Sequence, residues 1–123
     1  MTTRAEEVRN LMKMSLTEIV EGPAAEHLVV CKSLDILHQY FADEIAEEIR
    51  KNNEGNQPTR LILPIGPTGQ YPYLVNLIHS KKISLKRTWL FFMDEYCDEH
   101  GNAMPIDHPL SFKKTGHELF LDR

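Results

Sequence analysis

The chain has 123 residues, 41% hydrophobic and 26% charged, an ordinary composition for one globular domain and too short for two full cores. Its 14 Lys plus Arg against 18 Asp plus Glu give a formal charge of -4, and no basic run exceeds two residues, which argues against a nucleic-acid partner. No apolar run nears the roughly 20 residues that span a bilayer. Its two cysteines lack CxxC spacing and follow no secretory leader, which predicts the reducing cytoplasm.

Residues 1–22 read as a polar helical arm, broken near Met14-Ser15 and stopped by Gly22-Pro23. Residues 23–123 form the second predicted region. It opens with His27–Lys32, an apolar run of the buried-strand type that would put Cys31 in the core. Ser33 is a fair helix cap. Leu34, Leu37, Phe41, Ile45 and Ile49 then mark one face of an amphipathic helix. Its glutamates form a solvated face, with Glu47–Lys51 as the expected pair at i,i+4 spacing. The helix gives way to a loop over Asn52–Pro58.

Thr59–Ile65 is the second predicted strand. Gly66-Pro67-Thr68-Gly69 breaks it, and a helix runs from about Gln70 to His79 with Pro72 in its first turn. Thr88–Met93 is the third strand. A polar loop over Cys97–Asp107 follows, and then a helix over Phe112–Leu121 capped by Ser111. Strand, helix, strand, helix, strand predicts an α/β fold: a parallel sheet with helices on both faces. Right-handed crossovers bring the carboxyl ends of such strands to one edge, where ligands bind.

Two features fall at that edge. The strand, Gly/Thr turn and helix at Gly66–Gly69 offer free amides and a helix dipole to an anion, while an ordinary tight turn explains the same glycines. Asp94, with Glu95 beside it, ends a buried strand. A carboxylate there suits a general base, and a turn cap is the plainer alternative. Asp94, Glu95, Asp98 and His100 carry oxygen and nitrogen ligands, but no tight D-x-D pair, so no metal is predicted. The six histidines lack ligand spacing. His27, His38, His79 and His117 read as surface or helix-end residues, whereas His100 and His108 bracket the polar loop and are better placed to line a pocket.

Three segments also carry a resemblance. Leu63-Pro-Ile-Gly-Pro-Thr-Gly-Gln-Tyr-Pro-Tyr73, Phe92-Met-Asp-Glu-Tyr96 and His108-Pro-Leu-Ser-Phe112 resemble the glucosamine-6-phosphate deaminase (isomerase) family, in the wider group that includes 6-phosphogluconolactonases. The likeness runs from about His27 to the C-terminus. It implies a modified Rossmann-like sheet and the conversion of a hexosamine 6-phosphate to fructose 6-phosphate and ammonia, without a cofactor. It implies phosphate held at Gly66, Pro67, Thr68 and Gly69, with Asp94 moving the proton between C2 and C1 and with Glu95 and Tyr96 behind it.

The pattern also departs from the family's. Ile65 stands for a threonine, Gly69 for a proline, and Pro67 for a glycine, which removes one N–H. The Asp-x-His and Glu that assist ring opening, and the lysine or arginine that completes phosphate binding, have no counterpart here. The resemblance therefore implies the N-terminal part of an incomplete fold, inactive alone, which is either a piece of a longer enzyme or a short natural variant. Two alternatives stand beside it. One is a 6-phosphogluconolactonase-like hydrolase, which Tyr96 argues against because those enzymes carry arginine there. The other is a non-catalytic sugar-phosphate-binding or structural protein. Homo-oligomerisation stays open, and neither a membrane nor a nucleic acid is an expected partner.

Overall fold

A computed structural model of the chain describes residues 2–23 and 25–123. Met1 and Ala24, one in each predicted region, lie outside the described residues. The chain divides into two compact units, Met1–Lys32 and Ser33–Arg123.

In the first unit, α1 (Arg4–Leu11) and α2 (Leu16–Val20) each begin at a reciprocal cap. The Thr3 hydroxyl accepts from the Glu6 amide while the Glu6 carboxylate accepts from the Thr3 amide, and Ser15 and Glu18 repeat the arrangement. The break expected near Met14-Ser15 is the second of these caps. His27–Lys32 is not a strand, contrary to expectation. Ala25–His27 forms a single 3₁₀ turn, and no strand pairing is made by Leu28–Lys32. Leu28, Val29 and Val30 are exposed, and Cys31 is half-buried rather than in the core. A β-branched run makes a strand only where a neighbouring edge takes its amides.

The second unit is built on α3 (Leu34–Glu54), β1 (Thr59–Leu63), α4 (Gln70–Ser80), β2 (Thr88–Phe92) and α5 (Phe112–Gly116). Ser33 caps α3 by accepting from the Ile36 amide at 3.2 Å. The helix runs beyond Lys51 because its last turn has tertiary partners. The Asn52 amide reaches Thr59 Oγ1 at 3.2 Å, and that of Asn53 reaches the Ser84 carbonyl at 2.8 Å. Glu47 pairs with Arg50 rather than Lys51, at 2.5 Å, and Arg50 also binds Glu54. The planar guanidinium serves both carboxylates at once, which an ammonium on Lys51 does less well.

β1 and β2 are parallel and adjacent, with Thr59 opposite Thr88 and Leu63 opposite Phe92. Among the described residues they are the whole sheet, so the architecture is a small α/β one with a two-stranded parallel sheet flanked by helices. The core joins Ala42, Ile45, Ala46 and Ile49 of α3 to Leu63, Ile65, Tyr71 and Leu74. Tyr71 donates to the Pro64 carbonyl at 2.7 Å and packs 5.8 Å from the Phe120 ring, which joins α4 to both the strand end and the C-terminal turn. The expectation of helices on both sheet faces does not hold. Ile62, Trp89 and Phe91 point away from this core and are exposed. Alternation along each strand sends the remaining residues inward.

After α5 the chain continues as one π turn, His117–Leu121. Gly116 at the junction has ordinary helical angles, so close approach explains the glycine. A Cβ there would lie 2.4 Å from Phe92 Cζ and 2.8 Å from its Cε1. Gly116→Ala should destabilise the unit by about 1–2 kcal/mol, overpacking outweighing the gain in helix propensity. Urea unfolding tests this; unchanged or higher stability would mean that the Phe92 ring has room to move.

Candidate functional site

The parallel pairing of β1 and β2 carries both chain exits to one edge. The Met93 amide still donates to the Leu63 carbonyl at 3.0 Å, so the two strands stay paired up to their ends. Gly66 follows three residues after Leu63, and Asp94 two residues after Phe92. The strands are about 4.8 Å apart at that level. Gly66–Gly69 and Asp94 therefore follow the strands at the same edge of the sheet.

The turn itself presents donors. Gly69 is the cap residue of α4. Among the described residues, the amides of Gly66, Thr68, Gly69 and Gln70 make no hydrogen bond, while the Tyr71 amide bonds the Thr68 carbonyl at 3.1 Å. Pro67 and Pro72 have no N–H to give. Thr68 is half-buried, and Gly66 is exposed with open space where a Cβ would stand. Unpaired amides at the start of an 11-residue helix make a weak anion cradle.

Gln70 and His38 shape the turn from behind. The Gln70 side chain is fully buried, and its Nε2 donates to the Pro67 carbonyl at 2.7 Å. His38 is half-buried on α3, and its ring lies on the Gly69 backbone: a Cβ at Gly69 would come within 2.1 Å of His38 Cε1. The histidine that reads as a surface residue thus backs the candidate turn. Only a contact spanning 31 positions reveals it, and helical spacing carries no trace of that contact.

Asp94 is exposed and, among the described residues, makes no hydrogen bond or ion pair. Glu95 is engaged. Its carboxylate accepts from the Ser111 hydroxyl at 3.1 Å, the Phe112 amide at 2.8 Å, the Lys113 amide at 2.9 Å and the Tyr96 amide at 2.9 Å. Partial burial acts to raise its pKa, but these hydrogen bonds together outweigh it and hold the carboxyl below its ordinary value. Tyr96 is half-exposed and meets Phe112 edge-on at 5.0 Å. Glu95 and Tyr96 therefore fasten the end of β2 to the start of α5. Ser111 also caps α5, accepting from the Lys114 amide at 3.3 Å.

The polar loop is organised around Asp98, whose carboxylate accepts from the amides of His100 and Asn102, each at 2.9 Å. Bonds from the Asn102 side chain and backbone, then that from His100, hold its pKa below the ordinary value. His100 is exposed, 3.5 Å from Glu99, while half-buried His108 accepts from the Leu110 amide at 3.2 Å. Both are occupied locally, and no bond joins either to Asp94 or to the Gly66–Gly69 turn among the described residues. No three His, Cys, Asp or Glu side chains among the described residues are grouped to hold a metal ion. Two clefts of this unit, of about 260 and 140 Å³, run along α4 at Val75 and Leu77, away from the strand ends. The candidate site is an open edge.

Compared with protein-family models, curated proteins and solved structures, the chain matches none. No helix among the described residues is long and apolar enough to cross a membrane. The edge offers unbonded amides at the turn and an unbonded, exposed carboxylate after the neighbouring strand.

Proposed function

We propose that this chain binds a hexosamine 6-phosphate or a related sugar phosphate, and that its chemistry is that of the glucosamine-6-phosphate deaminases. On this reading the two strands begin a modified Rossmann-like sheet, and the protein works in the cytoplasm on a soluble metabolite. The phosphate rests on the Gly66, Thr68, Gly69 and Gln70 amides, the Thr68 hydroxyl adds a donor, and Asp94 takes the C2 proton. The observation that carries the reading is the pairing of unbonded amides with an unbonded carboxylate at adjacent ends of parallel strands. A sugar phosphate needs that division: an anchor for the charged end and a base at the carbonyl end, so that remote binding energy orients the reacting carbons.

A second reading has its own support. Glu95 is consumed as a helix cap, so Asp94 is the one free carboxylate of the Asp94-Glu95 pair, and Pro67 thins the cradle. Those facts favour a protein that binds a sugar phosphate without turning it over. A lactonase reading has no such support, since Tyr96 packs on Phe112 rather than offering a cation.

Titration calorimetry with glucosamine 6-phosphate and with glucosamine tests binding. The expected result is saturable heat for the phosphate ester alone, with micromolar to millimolar affinity, weakened when Thr68 becomes alanine. Equal binding of both sugars, or of neither, removes the proposal.

A further inference from the structure

The face of the β1–β2 sheet turned away from α3 and α4 is bare. Ile62 is 68% exposed, Trp89 61%, Phe91 51% and Met93 63%. Two of these are register neighbours, Ile62 beside Phe91, and Arg60 lies beside Trp89 at the start of the strands. Parallel sheets are ordinarily buried on both faces, because their crossover connections lay helices over them and the strands are apolar on both sides. An aromatic face of this kind is an interaction surface rather than a scatter of single exposed residues.

We infer that a second copy of this chain packs on that face, sheet against sheet, about a two-fold axis that runs the strands of the two copies antiparallel. Area supports the occupant. The exposed parts of the four apolar side chains amount to roughly 400–500 Å² per copy. Burying both faces removes about 1,000 Å² from water, the lower bound for a specific interface, before the rim is counted. Two facing sheets stand about 10 Å apart, a gap that interdigitated Trp, Phe, Ile and Met side chains fill.

Charge selects the arrangement. Arg60 is exposed at the start of β1, beside Trp89, and among the described residues it has no ion-pair partner. The parallel arrangement sets Arg60 against Arg60. In the antiparallel arrangement, Arg60 of each copy comes to the strand-end level of the other, and the two guanidinium groups stand apart. Both lie at the rim, so they fix orientation more than they add affinity.

The chain contains a single tryptophan, and it is on this face. Sedimentation velocity and tryptophan emission, recorded together on the full chain over the micromolar range, test the inference. The expected result is a doubling of mass with concentration and a parallel blue shift as Trp89 leaves water. Ile62→Glu, which alters an exposed side chain outside the core, should keep the helical circular dichroism, remain monomeric and hold its emission at the red limit. A chain that is monomeric at every concentration overturns the inference. So does a dimer undiminished by Ile62→Glu, and a monomer with blue-shifted emission would mean that a segment of the same chain covers the face.

Discussion

Replacing Asp94 with asparagine should leave hexosamine 6-phosphate binding intact and abolish proton exchange at the sugar's C2. The reaction to follow is exchange into deuterated water, because it needs only an anchor and a base and draws on the open-chain aldehyde that forms spontaneously in solution. The Asp94 carboxylate removes the C2 proton, the C–H electron pair becomes the C1–C2 double bond of an enolamine, since C2 carries the amino group, and the aldehyde oxygen is protonated by solvent. Return of a deuteron to C2 leaves the label. General-base catalysis is worth about 10²–10⁴-fold, so Asp94→Asn should slow exchange by at least about 10²-fold. Affinity should hold or improve, since a negative charge beside a phosphate is removed. Nuclear magnetic resonance of the C2 proton reads the rate, and exchange by the variant at the parent rate rejects Asp94 as the base. Binding without exchange in the unaltered chain would favour the non-catalytic, sugar-phosphate-binding reading instead.

The parts of this fold that were legible in the sequence are those decided within a few residues. Ser33, Ser15 and Ser111 cap helices by accepting amides three positions on, so each was readable as a boundary. The paired strands and α4 follow from apolar runs broken by Gly and Pro, and the parallel order brings Gly66–Gly69 and Asp94 to one edge as the topology requires. What was not legible depends on partners far along the chain. Leu28-Val29-Val30 has strand composition, but nothing local reveals whether an edge exists to receive it. The same holds for the sheet face at Trp89 and Phe91, whose apolar character predicts helices on both sides. His38 against Gly69, and Glu95 against Ser111–Lys113, are contacts over 31 and 16–18 positions, where spacing rules have no reach.

Glu95 has the second large expected effect, on stability and through it on the site. Glu95→Ala leaves the buried Ser111 hydroxyl and the Phe112 and Lys113 amides without their acceptor, which should cost about 2–3 kcal/mol. Glu95→Gln is the sharper test. It keeps the shape and one acceptor oxygen but turns an NH₂ toward amide donors, so it should lose about 1–2 kcal/mol at neutral pH. The carboxyl titrates lower in the folded chain than its ordinary value of 4.5. Its contribution is therefore complete above that value and is lost as the pH falls through the lower, folded one. The gap in unfolding free energy between parent and Glu95→Gln should accordingly be wide at pH 7 and close progressively below about pH 4.5. Glu6, Glu18, Glu47 and Asp98 also have lowered pKa values and weaken both proteins alike in acid, so the difference isolates Glu95. Amide exchange at Phe112 and Lys113 should rise with the substitution. Because Asp94 is the preceding residue, loosening this clamp also frees the base to wander, and C2 exchange should fall with sugar-phosphate affinity little changed. A gap that stays constant from pH 7 into acid would show that the carboxylate's charge contributes nothing to the clamp.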